Sequence, residues 1–463
     1  MASGRRPGAL ADLRVRAART LRVWRLTGRN AVRFVVHRVR RRATPQARRG
    51  KLDDAFTIRT ADDVARELGN MKGALMKAGQ MISVVVEALP EAAQQSLSSL
   101  YADSPPMTAE LAASVVADAF GRPPESVFLD WSPTPVAAAS IGQVHRAVTR
   151  DGREVAVKVQ YPGVAGAIEA DLSNADLLYR MLGAFTLKGL DTRALVDELR
   201  LRMRNELDYR IEAANVHEFR HAFAGHPFVS LPDVFDDLSR TTVITTEWVD
   251  GLSWNEFVAT ATPAARARAG ESIWRFAQHA ILRLGVFNGD PHPGNYRFSP
   301  HGDVTFLDFG MVKRWQPGEW ELLAPSMDAI IVRRDPDELV STMEASGFLR
   351  AGHGLAAQEV YDYVSSPYLP YLTDSFTFDR TFMRELVQRL IDVNGPHARV
   401  IAQVDMPTSF VVLQRVVMGI SALLGKLELT APWRAMLLEY RIDAPPASPL
   451  GVEEAAWRTG RLR

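Results

Sequence analysis

The residues able to do chemistry in this 463-residue chain gather in two short stretches, FNGDPHPGNYRF (287–298) and VTFLDFGMV (304–312). Asp290 and Asn295 stand five apart, and Asp308-Phe309-Gly310 begins thirteen residues after Asn295. Acid and amide oxygens at this spacing, followed by an Asp-Phe-Gly triplet, suit a phosphoryl-transfer site, where metal must neutralise a triphosphate and a hydroxyl must be positioned. In that reading Asp308 bridges magnesium to the phosphates and Asn295 holds a second ion. Asp290 accepts or orients the proton of the attacking hydroxyl. A lone Asp-Phe-Gly is a common turn after a strand; both stretches in order and at this spacing are not. His292 and His301 lack further ligands at a zinc spacing. His292 is therefore assigned to phosphate contact or to loop hydrogen bonding.

A triphosphate also needs fixed positive charge. REVAVKVQ (153–160) reads as a strand carrying one lysine, Lys158, among apolar residues. A lysine there neutralises the α and β phosphates and needs a carboxylate to hold it. RNELDYRIEAANVHEF (204–219) offers Glu206, Asp208, Glu212 and Glu218, of which Asp208 and Glu212 share a helix face. Ahead of the strand, PVAAASIGQVHRA (135–147) puts Ala137, Ala139, Gly142 and Val144 in the register of G-x-G-x-x-G-x-V, with Ala138 and Ser140 between them. Two of the three glycines have become alanines, and a Cβ restricts close backbone approach. This loop should therefore cover a nucleotide differently. Glu247 and Val249, closing the strand TTEWV (245–249), would supply hinge backbone to adenine. The expected ligands are ATP and Mg2+.

Elements must hold these groups together, and the pattern along the chain says which. Residues 60–90 have helical spacing; 128–160 switch to short β-rich pieces with an Asp151-Gly152 hairpin turn; 165–222 return to helix; and 254 onward is mainly helical, broken by strands and loops at 286–312. The expected fold class is α+β: a helical preface, a small sheet with inserted helices, then a larger helical lobe, with the chemistry-bearing residues at the joint between lobes. Its parts are a basic amphipathic arm (1–50), the helical extension (51–127), a small lobe (128–250) and a helical large lobe (251–463).

Composition narrows the setting. The chain has no cysteine, which excludes disulfides, thiolate zinc sites and a cysteine nucleophile. Residues 1–50 hold fifteen arginines and one acid, so an arm of charge +14 precedes a body of −13 in a chain of net charge +1. Leu21, Trp24, Val32, Val35 and Val39 fall near one helical face of the arm, a composition suited to an anionic membrane surface or lipid. Nucleic acid is not expected, because the body adds no second basic patch. FVVLQRVVMGISALLGKL (410–427) contains Gln414 and Arg415 and reads as a core helix. With no secretory signal, the expectation is a cytoplasmic protein with the arm at a membrane periphery.

These elements together resemble the UbiB family of atypical kinases, the AarF and ADCK-type proteins linked to coenzyme Q and other isoprenoid lipid metabolism. LMKAGQMIS holds its K-x-G-Q motif as Lys77, Gly79 and Gln80; AAASIGQV is its alanine loop; and NELDYRIEAAN holds its E-x-D motif as Glu206 and Asp208, with Glu212 the implied partner of Lys158. VAVKVQYPGV, GDPHPGN and DFG complete the set. The resemblance implies a protein-kinase-like two-lobe fold with an N-terminal helical extension, whose K-x-G-Q helix crosses the active site, with Lys77 and Gln80 near Glu206, Asp208 and the nucleotide. It implies ATP binding with ATPase or small-molecule phosphotransfer instead of protein phosphorylation. Two alternatives stand beside it. GDPHPGN followed by DFG is also close to the loop of aminoglycoside and choline phosphotransferases, against which K-x-G-Q, the alanine loop and E-x-D argue. The other is a nucleotide-responsive scaffold without turnover. Neither the substrate nor a protein partner is written in these residues.

Overall fold

Tight turns and strand alternation build the small lobe. In the computed structural model, which describes residues 107–139, 141–166, 204–391, 395–405 and 408–461, Gly152 takes φ 86° and the Thr149 hydroxyl donates to Asp151 at 2.5 Å. Strands β2 (Gly142–Val148) and β3 (Glu154–Gln160) therefore fold back on each other with Val144 opposite Lys158. β1 (Asp130–Ala139) pairs antiparallel with β2, placing Ala137, Ala138 and Ala139 opposite Val144, Gln143 and Gly142. β4 (Val243–Glu247) adds to the other edge, giving the order β1-β2-β3-β4. The basic arm, Lys77, Gln80, Ser140 and most of the segment expected to hold inserted helices lie outside the described residues.

Val155, Val157 and Val159 alternate along β3 onto one buried face. There they share a core with Ala112, Val115 and Val116 of helix α1 (Ala109–Phe120). Each such valine contributes about 1.5–3 kcal/mol by leaving water. Residues 107–127, grouped by sequence with the preceding extension, thus pack into the core of the small sheet. Lys158 belongs to the opposite face, and period-two geometry alone puts it there.

Gly142 has a structural reason to be glycine that the sequence reading did not give it. Its φ is not left-handed, yet a Cβ would stand 2.1 Å from the Val159 carbonyl oxygen on β3. The residue is required by the close approach of two strands, independently of any phosphate. Gly142→Ala is expected to push β2 and β3 apart and to cost about 1–3 kcal/mol. A urea midpoint equal to that of the parent would contradict this.

Helix α2 (Tyr209–Ala222) joins the two lobes. Asp208 caps it by accepting the Arg210 N–H, and Glu212 sits in its first turn, where the helix dipole favours an acid. Its later turns bring Val216 and Phe219 into the large-lobe core. That core centres on α3 (Pro263–His279) and α4 (Thr408–Leu427), followed by α5 (Trp433–Arg441) and α6 (Pro449–Arg461). Between α3 and α4 lie the short strands β5 (Val286–Asn288), β6 (Tyr296–Phe298), β7 (Val304–Phe306) and β8 (Val312–Arg314). β6 pairs with β7, and β5 with β8. These two antiparallel pairs bring 289–295 and 308–311 side by side. Among the described residues no helix is long and apolar enough to cross a membrane.

Candidate active site

Three charged side chains meet where β3, α2 and the Asp-Phe-Gly triplet converge. Lys158 Nζ donates to Glu212 Oε1 and Oε2 at 3.0 and 2.9 Å and to Asp308 Oδ2 at 3.2 Å. It also lies 5.1 Å from the centre of the Tyr209 ring, one turn before Glu212. Burial by itself pushes the Lys158 pKa down, but the carboxylates of Asp308 and Glu212 outweigh it and hold the ammonium well above its ordinary range. The triplet is fixed from α2 as well. Asn215 donates to the Phe309 carbonyl at 2.9 Å, and the buried Phe309 ring packs 4.7 Å from Phe219.

The second loop is ordered by its own hydrogen bonds. Asn295 donates through Nδ2 to the Asp290 carbonyl at 3.0 Å, and the His292 N–H bonds the same carbonyl at 2.7 Å. Asn288, which the sequence reading did not single out, ties the two loops together. Its Nδ2 donates to the Asp308 carbonyl at 2.7 Å, and its Oδ1 accepts the Asp290 N–H at 2.9 Å. His292 Nδ1 accepts the Gly294 N–H at 3.1 Å, which fixes a neutral ring with its proton on Nε2. Burial pushes the His292 pKa down; Asp290 opposes this, while Lys426 and Arg415 reinforce it. The ring is still reached by solvent, so the hydrogen bond carries the assignment. His292 therefore offers an N–H donor and not a positive charge.

A third contributor comes from α4. Arg415 Nη2 lies 2.5 Å from Asp290 Oδ1, with side-chain exposures of 12% and 23%. Gly419, one turn later, is pressed on the loop so closely that a Cβ would stand 2.5 Å from Pro291 Cγ. A single arginine, beside Gln414, in the middle of a mostly apolar helix was the available signal in the sequence.

Other expected residues have different surroundings. Asp208 is spent on capping α2 and on an ion pair with Arg210, so its carboxylate does not reach Lys158 as Glu212 does. Glu206 is buried just before α2, where Gln160 donates to its carbonyl at 3.2 Å. Glu247 gives its N–H to the Asp233 carbonyl and accepts the Asp233 N–H on its carboxylate, and Trp248 gives its N–H to Glu154. The N–H of Glu247 is thus committed within the small lobe, and Val249 lies in the segment that follows the strand. Ala137 and Ala138 are exposed on β1, with Val144 half-buried opposite Lys158.

For a metal, the chemistry of the donors decides. No group of three or more His, Asp or Glu among the described residues could hold an ion by itself. Asn295 bonds the loop through its amide nitrogen, so its side-chain oxygen would be available to an ion, and Asp308 would add a part-exposed carboxylate. One carboxylate and one amide suit Mg2+, which takes its remaining ligands from water and phosphate.

Against known proteins, the ABC1 atypical kinase-like domain matches residues 99–343. The chain is 33% identical over 294 residues to the chloroplastic protein ACTIVITY OF BC1 COMPLEX KINASE 1 of Arabidopsis thaliana, covering 61% of this chain and 42% of the relative. It is 33% identical over 304 residues to a chloroplastic aarF domain-containing protein kinase of the same plant, covering 64% and 42%. It therefore spans less than half the length of these curated relatives. A solved structure described as the Rv3197–erythromycin complex from Mycobacterium tuberculosis superposes with a TM-score of 0.60 at 34% identity, covering 82% of this chain and 95% of that one. A domain match over more than half of the chain, on a two-lobed α+β unit with this site at its seam, establishes that the chain belongs to the ABC1 family of atypical kinases, the UbiB, AarF and ADCK-type proteins.

Proposed function

We propose that the chain binds Mg-ATP between its lobes and acts as an atypical kinase or ATPase on a small molecule of isoprenoid-quinone or other lipid metabolism. One observation carries the nucleotide reading: Lys158 is held simultaneously by Glu212 and Asp308, on strand, helix and loop. In this reading Lys158 binds the α and β phosphates, and Glu212 keeps it aimed. Asp308 and Asn295 hold magnesium, which when bound neutralises charge on the phosphates. Asp290 takes the proton of the attacking hydroxyl, and the β1–β2 hairpin with Val144 covers the nucleotide. The small-molecule acceptor and the lipid setting rest on the family resemblance.

Asp308→Asn tests the assignment directly. The parent should gain thermal stability with Mg-ATP, and the variant should lose most of that magnesium-dependent shift. An equal shift would remove Asp308 from the metal site. A parent that binds ATP but never releases phosphate, with phenolic quinone precursors or anionic vesicles present, would favour the scaffold alternative.

A further inference from the structure

Glu212, Asn215 and Phe219 recur at three and seven residues along α2, so one face of that helix runs past the Asp-Phe-Gly triplet. Glu212 holds Lys158, and Phe219 packs on the Phe309 ring. Between them the Asn215 side chain, in a residue only 4% exposed, donates through Nδ2 to the Phe309 carbonyl at 2.9 Å. Its Oδ1 accepts from Arg314 Nη2 at 2.9 Å. A guanidinium only donates and a carbonyl only accepts, so these two partners fix which end of the amide points where.

The bond matters because of the peptide it holds. The Phe309 carbonyl and the Gly310 N–H belong to one planar trans unit and point to opposite sides of it. Asn215 holds the carbonyl, and the N–H donates to Asp308 Oδ1 at 2.9 Å. The other oxygen, Asp308 Oδ2, accepts from Lys158 at 3.2 Å. Each oxygen of the carboxylate therefore meets a donor, and one of those donors is oriented from α2. Turning the peptide would withdraw both of its bonds together. A carbonyl that accepts a hydrogen bond also polarises the N–H of its own unit, which strengthens the bond to Asp308.

We propose that Asn215 is a positioning residue for Asp308: through the Phe309–Gly310 peptide it sets the rotation of the carboxylate, and with it the affinity of the site for a divalent cation. The inference rests on the Mg-ATP reading above, in which Asp308 is a metal ligand. Groups that orient a ligating carboxylate from behind control metal affinity without touching the metal. Arg314 of β8 supports Asn215 in turn, and its ion pair with Glu218 ties it to the same helix. The amide cannot turn over without losing that charged donor and facing its own oxygen to the Phe309 carbonyl.

Mn2+, which takes the same oxygen ligands as Mg2+, is the probe, added with ADP to the full chain and followed by electron paramagnetic resonance. Asn215→Asp keeps the shape and the oxygen facing Arg314 but sets an oxygen without a proton against the Phe309 carbonyl. It should weaken Mn2+ binding by about tenfold or more and change the spectrum of the metal that stays bound. Arg314→Met, at a part-exposed position, should weaken binding by a smaller factor, and it decides the matter where Asn215→Asp folds poorly. Phe223→Leu loosens the core just past the far end of α2. It should lower the unfolding temperature and leave Mn2+ affinity and spectrum as in the parent. Mn2+ bound by Asn215→Asp as tightly as by the parent, or weakened equally by Phe223→Leu, overturns the inference; an Asp308→Asn variant that still loses the metal then leaves the Mg-ATP reading standing. A parent that binds no Mn2+ with ADP, or an Asp308→Asn variant that binds it as the parent does, overturns that reading and this inference with it.

Discussion

Lys158→Met is expected to lower the unfolding free energy by about 3 kcal/mol, the low end of the cost of breaking a buried ion pair from one side. On the proposed Mg-ATP reading, the same substitution should reduce magnesium-dependent phosphate release by about 10²–10³-fold, the scale of losing one preorganised electrostatic contact. The stability loss has a specific source. The Glu212 side chain is 8% exposed, so removing the ammonium leaves a carboxylate in a place water barely reaches. Asp308, at 36% exposed, is rehydrated more easily, which holds the expected loss to the low end of that range. The pH dependence follows from the raised pKa of Lys158. A base whose folded pKa lies above its unfolded value contributes stability that is fully present below the unfolded value, near 10.4, and lost as pH rises through the folded one. The gap between parent and variant should therefore stay constant from about pH 6 to pH 9. Urea unfolding at several pH values measures it; coincident curves at neutral pH would mean that this triad does not hold α2 in place.

Arg275→Ala is the largest stability effect expected, about 3–5 kcal/mol. Arg275 on α3 is fully buried, and Glu439 on α5 and Glu454 on α6 are each 2% exposed. Its Nε donates to Glu271 at 2.6 Å, Nη1 to Glu439 and Glu454 at 2.8 and 3.1 Å, and Nη2 to Glu439 and Ser448, each at 3.0 Å. These bonds use all five donors of the guanidinium. A methyl group in its place would strand two carboxylates in the core. Burial pushes the Glu454 pKa up, but hydrogen bonds from His279 and Tyr440 and the charges of His279 and Arg275 outweigh it and hold it below the ordinary value. A depressed acid gives stability present above its unfolded pKa, near 4.3, and lost as pH falls through the folded one. The network should thus fail in acid. Arg275→Lys keeps the charge but fewer donors and should fall between parent and alanine. An alanine variant with the parent's urea midpoint would refute this account. The consequence reaches the site, because Trp457 of α6 donates to the Ala224 carbonyl at 3.0 Å, just beyond the end of α2, the helix that carries Glu212.

Some of this was legible before any coordinates. The Asp290–Asn295 spacing, the Asp-Phe-Gly triplet and the lysine-bearing strand are local patterns: each depends on residues a few positions apart, and backbone geometry turns such spacing into placement. Strand alternation alone puts Lys158 opposite the valines of the core. The Asp151-Gly152 turn is as local, because only residues tolerant of positive φ hold it.

Choices among chemically equal groups were not local. Asp208 and Glu212 occupy one helix face and read alike, yet the start of α2 falls between them. Asp208 becomes the cap, and Glu212, one turn inside, meets Lys158. Glycine at 142 reads as a nucleotide-loop residue until β3 is seen lying against it. Arg415 argued, as sequence, only that an apolar segment was a core helix; packing of Gly419 on Pro291 gives it Asp290, 125 residues away in the chain. The sequence by itself determined the family the chain belongs to, since the family's marks reside in short motifs. Which acid serves which cation was decided by tertiary structure, because that depends on helix phase, close backbone approach and burial, none of which any one segment encodes.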